Sequence, residues 1–138
     1  MRIGLLAYGA IGHEHNVAIH SVPGWELTAV CDVNPERVAA ARTLAPGAVG
    51  FDDANALLDS GLIDLVVIST PPNTHHDCAR AALERGIPVV VEKPMARSLG
   101  EVDRMIAAAD RAGVALAVGH TERFNPAVVA ARAHLQAP

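Results

Sequence analysis

Lys93 is the only lysine among the 11 basic residues of this 138-residue chain; all the others are arginines. Arginine keeps its proton near neutrality, whereas a desolvated lysine can release one. A chain otherwise built on arginine has a chemical reason to place lysine here. That reason is proton exchange with, or charge stabilisation of, a hydroxyl whose carbon is losing hydride. Lys93 lies in Glu92-Lys93-Pro94, directly after an aliphatic run. Its bond to Pro94 can be cis, which would orient the side chain.

A second constellation opens the chain. Ala7-Tyr8-Gly9-Ala10-Ile11-Gly12 is the G-x-G-x-x-G pattern with alanine in place of the first glycine. Gly9 would let the backbone touch a pyrophosphate, and Gly12 would let a helix pack closely on its strand. The N–H groups at the start of that helix would then face the phosphates. Ala7 keeps a small side chain but loses freedom if the turn needs positive φ. Asp32 follows Gly12 by 20 residues. Its carboxylate can accept hydrogen bonds from both ribose hydroxyls of an adenosine and would repel a 2′-phosphate, which predicts NAD rather than NADP.

These residues need elements to hold them. Aliphatic runs at Arg2–Ala7, Glu26–Cys31, Ala48–Phe51, Leu65–Ser69, Pro88–Val91 and Val114–Gly119 read as strands buried on both faces. Between them the spacing is helical, with Val102, Met105, Ile106 and Ala109 on one face. Asn34-Pro35 is an N-cap followed by proline, and Ser98 with Glu101 fits a capping box. Gly61, Gly86 and Gly113 are placed to end helices in the left-handed conformation. A last helix spans Asn125–Gln136 and stops at Pro138. The alternation predicts an α/β Rossmann fold, a doubly wound parallel sheet of six strands in the order 3-2-1-4-5-6. Ligands of such a sheet bind beyond the carboxyl ends of its strands. Those ends carry Thr70, Pro71, Pro72, Asn73 and His75 after strand four, Glu92 and Lys93 after strand five, and His120 after strand six.

Composition removes other classes. A chain that is 51% hydrophobic and 19% charged is not disordered. A net charge of −4 gives no basic surplus for nucleic acid. No apolar run is long enough to span a bilayer. The start leads straight into a strand rather than a leader, and Cys31 and Cys78 lie in different elements, as in a reduced cytoplasmic protein. His13 and His15 diverge by about 200° on a helix, and His75 and His76 by about 100°. Without zinc-like spacing, no metal is expected.

The Thr70-Pro71-Pro72…His75 turn, Glu92-Lys93-Pro94 and the segment Val118-Gly119-His120…Arg123-Phe124-Asn125-Pro126 carry a family resemblance. The chain resembles, over essentially its whole length, the cofactor domain of the glucose–fructose oxidoreductase and inositol dehydrogenase family (Gfo/Idh/MocA). The resemblance implies that residues 7–12, Asp32 and the strand-four turn hold NAD(P). It implies that Lys93 lies beside the nicotinamide and the substrate with a catalytic role; in the reading of the strand ends, Lys93 would be the proton relay and His120 its helper. His15 and His75 match histidines of the family, His15 in a helix-capping or packing role. The Arg123-Phe124-Asn125-Pro126 version is similar to members acting on nucleotide sugars.

The expected organisation is an NAD(P)-binding domain over residues 1–122 and, over 123–138, the start of a linking helix toward a second, substrate-binding domain that nothing here matches. The expected partner is a small molecule, a sugar or nucleotide sugar, without nucleic acid or membrane and with room for a homo-oligomer. A regulatory nucleotide-binding module is the alternative; it would need the glycine loop and Asp32 but not Glu92-Lys93-Pro94.

Overall fold

The computed structural model describes residues 1–135 and contains one six-stranded sheet in the order β3-β2-β1-β4-β5-β6. The strands are β1 (Arg2–Leu6), β2 (Glu26–Cys31), β3 (Val49–Phe51), β4 (Leu65–Ile68), β5 (Val89–Val91) and β6 (Leu116–Val118). Every neighbouring pair is parallel. The expected order is therefore observed, with several strand ends drawn in by one or two residues. Connecting them are α1 (Ala10–Ser21), α2 (Pro35–Leu44), α3 (Ala54–Leu58), α4 (His75–Glu84) and α5 (Leu99–Ala112). A short 3-10 turn, Thr121–Phe124, precedes α6 (Pro126–Leu135). The expected end of that helix at Gln136, and its stop at Pro138, lie outside the described residues.

The sheet is buried on both faces because successive side chains of a strand point to opposite sides. On β1, Ile3 and Leu5 join Ile19, Leu27 and Val30 under α1 and α2, while Leu6 joins Leu57, Ile68, Leu83 and Met105 under α3, α4 and α5. Tyr8, the chain's single tyrosine, turns its ring into the first of these layers. Its hydroxyl accepts from the fully buried Asn16 Nδ2 at 3.1 Å, and Nδ2 also donates to the Ala41 carbonyl. A polar side chain thus ties α1 to α2 beneath the glycine loop.

Helix ends follow the sequence chemistry with two differences. Asn34 Oδ1 accepts from the Glu36 N–H at 2.9 Å, with Pro35 in the first turn. Gly61, Gly86 and Gly113 have φ of 68°, 71° and 67°, the left-handed values expected. Ser98 Oγ accepts from the Glu101 N–H, but the Glu101 carboxylate reaches back to the Arg97 N–H and guanidinium rather than to Ser98. The box is one residue wider because Arg97 offers both an N–H and a positive charge. On α5 the buried face is Met105, Ala108 and Ala109, whereas Ile106 is 46% exposed. Ile106 lies beside Leu116 and Val118 of β6, the sheet edge, where no further element covers it among the described residues.

Candidate functional site

β1 delivers the chain into the glycine turn with an unusual residue. Ala7 has φ of 70°, the only non-glycine residue with positive φ among the described residues. Three contacts hold it there. Its N–H donates to the Cys31 carbonyl at 2.8 Å. Its own carbonyl accepts from Ser69 Oγ at 2.9 Å. Gly12 packs so closely that a Cβ there would lie 2.4 Å from the same oxygen. A left-handed L-residue costs about 1–2 kcal/mol, part of which glycine gives back through greater freedom in the unfolded chain. Ala7→Gly is therefore expected to stabilise the fold by about 0.5–1 kcal/mol. Urea denaturation checks this, and a lower midpoint would contradict it.

Gly9 is the N-cap of α1, with φ of −79° and no side-chain cap. Nothing lies within 4 Å of where its Cβ would be. Neither backbone conformation nor internal packing requires glycine at this position, so the open face beside it is the feature a side chain would spoil. Ala10 and Ile11 are exposed in the first turn of α1, and that turn carries no acidic residue. The helix start thus offers backbone donors and positive partial charge to an anion.

Asp32 ends β2 with its side chain almost fully buried. Its Oδ2 accepts from the Tyr8 N–H at 2.8 Å and its Oδ1 from the Asn34 N–H at 2.9 Å. The carboxylate therefore shapes the glycine loop as well as facing a cleft. That cleft, of about 390 Å³, also touches Ala7, Thr70 and Pro71. Arg37 Nη1 stands 3.6 Å from Asp32 Oδ2, a neighbour that spacing along the sequence does not reveal. The Thr70 hydroxyl is buried, with the Cys78 thiol beside it and no well-formed hydrogen bond among the described residues. Polar atoms left so are rare and costly, and a bound molecule is one way to satisfy them.

Cys31 and Cys78 line the same cleft as free thiols. Burial, with the nearby carboxylates of Asp53, Asp32 and Asp52, pushes the Cys31 thiol up from its ordinary 9.0 to about 11. A raised folded-state value stabilises the protein below the unfolded value and is lost as pH rises through the folded one. Stability is expected to fall between pH 9.0 and about 11. Cys31→Ala should flatten that part of the denaturation-midpoint profile; an unchanged slope would show that the thiol contributes nothing.

Lys93 and His120 line a second cleft, of about 370 Å³, at the ends of β5 and β6. Lys93 is exposed and has no ion-pair partner among the described residues. The Lys93–Pro94 bond is cis. Glu92 does not itself line this cleft; its Oε1 lies 3.0 Å from His15 Nε2 on α1. His15, for which a capping or packing role is expected, makes this contact from a side chain that is mostly buried.

The structure thus brings Ala7, Asp32, Thr70 and Pro71 to one cleft and Lys93 and His120 to the other, on one edge of the sheet. Pro72 and Asn73 are exposed on the strand-four turn and line neither. His75 corrects an expectation. It is 1% exposed, with Nδ1 2.8 Å from the Pro94 carbonyl and Nε2 2.8 Å from the Thr70 carbonyl. A side chain so enclosed braces the two turns against each other rather than touching a ligand. Among the described residues, no three His, Cys, Asp or Glu side chains gather as a metal site. Nor is any described helix long and apolar enough to cross a membrane.

A doubly wound parallel sheet with a glycine turn between β1 and α1 and an acid at the end of β2 defines a dinucleotide-binding domain. A family model described as an oxidoreductase family with an NAD-binding Rossmann fold matches residues 1–120. The chain belongs to this family, Gfo/Idh/MocA. It is 36% identical to inositol 2-dehydrogenase 4 of Saccharopolyspora erythraea over 91% of this chain and 38% of that protein. It is 32% identical to D-apiose dehydrogenase of Paraburkholderia graminis over 91% of this chain and 34% of that one. Among solved structures, the WlbA dehydrogenase from Bordetella pertussis, in complex with NADH and UDP-GlcNAcA, superposes with a TM-score of 0.85. It is 37% identical, over 91% of this chain and 36% of that one. The chain therefore spans less than two fifths of the length of these relatives.

Proposed function

We propose that the chain is the cofactor half of a dehydrogenase that oxidises or reduces a carbinol of a sugar or nucleotide sugar, using NAD in preference to NADP. The observation that carries this reading is the pairing of an open Gly9 at the start of α1 with the Asp32 carboxylate across the loop. The α1 N–H groups would take the pyrophosphate, Asp32 the adenosine ribose, and Thr70 with Pro71 the wall of the adenosine cleft. NAD, when bound, supplies the centre that exchanges hydride. Lys93 would exchange a proton with the substrate hydroxyl, assisted by His120 on the other wall of the cleft. The exposed, unpaired ammonium of Lys93 supports that role.

Residues 1–122 form the nucleotide domain in this reading, and the segment from 123 leads to a substrate domain. Every side chain from Pro126 to Arg132 is exposed, as suits a helix that packs on something further along. The free thiols and the relatives' chemistry support work in the cytoplasm on a small-molecule substrate. The relatives' names point to inositol, apiose and UDP-GlcNAcA as compounds to try.

The test is NADH titration of the chain by calorimetry, followed by turnover against myo-inositol and UDP-GlcNAcA. NADH should bind, and Lys93→Met should leave that binding within about threefold because the lysine serves the substrate. An absence of binding at millimolar NADH would sink the cofactor reading. Binding without turnover would place the missing part of the catalytic centre in a second domain.

A further inference from the structure

Glu92 is held from three elements, through its backbone by one and through its carboxylate by the other two. Its backbone N–H donates to the Ile68 carbonyl of β4 at 2.9 Å, continuing the sheet past β5. Its Oε1 meets His15 Nε2 of α1 at 3.0 Å, and its Oε2 accepts from the Lys93 N–H at 3.2 Å. The third element is β6. A Cβ on Gly119 would lie 2.8 Å from Glu92 Oε1 and 3.1 Å from the carboxyl carbon. Real Cβ atoms do not come that close, so glycine leaves the slot that the carboxylate fills. The Gly119 backbone cannot drift away, because its N–H donates to the Val91 carbonyl at 2.8 Å. The side chains of His15 and Glu92 are only 20% and 12% exposed, so bulk water competes weakly for this contact.

We propose that His15 is a positioning residue for the nicotinamide end of the site, holding Glu92 in the Gly119 slot and thereby setting the turn from which Lys93 projects. The inference rests on the cofactor reading above. Its chemistry is simple. A carboxylate beside a turn can swing between several rotamers, and each would give the following residue a different frame. One donor from α1 selects one rotamer, and the missing Cβ on Gly119 permits it. The donor comes from the helix whose start faces the phosphates, so the phosphate end and the Lys93 end are fastened to the same rigid body. Neutral His15 with its proton on Nε2 suffices as donor, and a protonated ring makes the same bond stronger.

The experiment compares NADH with ADP-ribose, which carries the adenosine, pyrophosphate and second ribose but no nicotinamide. Both are titrated calorimetrically into the chain and its variants. In this arrangement the Glu92–Lys93 backbone turn, rather than the Lys93 ammonium, is the wall for the nicotinamide. Freeing Glu92 misplaces that wall and predicts about a tenfold weaker NADH complex for His15→Ala, with ADP-ribose changed by less than about twofold. His15→Gln, whose amide nitrogen can donate from a similar reach, should recover NADH affinity to within about threefold of the parent. Gly119→Ala, which evicts the carboxylate from the other side, should match His15→Ala. The double variant should be no worse than either alone, because both act on one carboxylate.

Equal losses for both ligands would overturn the inference, since His15 would then merely anchor α1. So would unchanged NADH affinity, or losses that add in the double variant. ADP-ribose binding also reports that each variant is folded. If the parent chain binds neither ligand, the cofactor reading itself fails and takes this inference with it; the split between ligands separates the two failures.

Discussion

Asp32→Ala is expected to weaken NADH by roughly 10–100-fold, the loss of one or two charge-assisted hydrogen bonds to ribose. It should also cost stability. The Tyr8 N–H, now 2.8 Å from Asp32 Oδ2, would be left buried without an acceptor. Such an orphaned donor costs about 1–3 kcal/mol. A drop in NADH affinity could thus come from a loosened loop alone, and NADPH separates the causes. Removing the carboxylate removes the charge that repels a 2′-phosphate. It also frees Arg37, whose Nη1 lies 3.6 Å from Asp32 Oδ2, to meet that phosphate. The ratio of NADPH to NADH affinity should therefore rise at least about tenfold in titrations of the variant. Equal weakening of the two cofactors would mean that Asp32 shapes the loop without reading the ribose.

Gly12→Ala should be severely damaging for a single added methyl. The new Cβ would lie 2.4 Å from the Ala7 carbonyl oxygen and 3.2 Å from Ser69 Oγ. Neither side can yield easily: Gly12 is inside α1, and Ala7 is bonded through its N–H to Cys31 and through its oxygen to Ser69. Overpacking of this kind costs about 3 kcal/mol, with the loop displaced and NADH binding lost beyond about tenfold. Gly9→Ala is the informative contrast. Its Cβ meets nothing within 4 Å and its φ is an ordinary −79°. Stability should stay within about 0.5 kcal/mol while NADH affinity falls. Urea denaturation beside calorimetry reads both quantities. If Gly9→Ala bound NADH normally, the open face beside Gly9 would not be where the phosphates sit.

Much of the frame was legible because its determinants are local. Aliphatic runs broken by caps at Asn34-Pro35 and Ser98 give the alternation, and the handedness of crossovers leaves few strand orders. The glycine loop and Asp32 could be placed because one motif spans a single strand–helix–strand unit. What escaped depends on distance through the chain. His15 and Glu92 are 77 residues apart, and no spacing rule relates a helix's second turn to the end of a strand seven elements later. Gly119 looked like an ordinary strand-end glycine, although its missing side chain is what admits Glu92. The inward turn of His75 was equally hidden, since its two partners are backbone carbonyls, which leave no mark in residue types. Ile106 misled for the opposite reason: its spacing fits the buried face, but burial depends on whether a neighbour exists beyond β6.

The solitary lysine has one more consequence, for what the chain can tolerate from its surroundings. Reactive acyl donors and aldehydes attack amines, and most proteins spread such hits over many harmless surface lysines. Here the only side-chain amine stands exposed in the cleft beside His120. Within these 138 residues no other side-chain amine shares the hits, so each acylation of Lys93 removes the charge on which the proposed site depends. With ten arginines and one lysine, this stretch of chain gathers its side-chain amine chemistry at a single position, in the cleft proposed for catalysis.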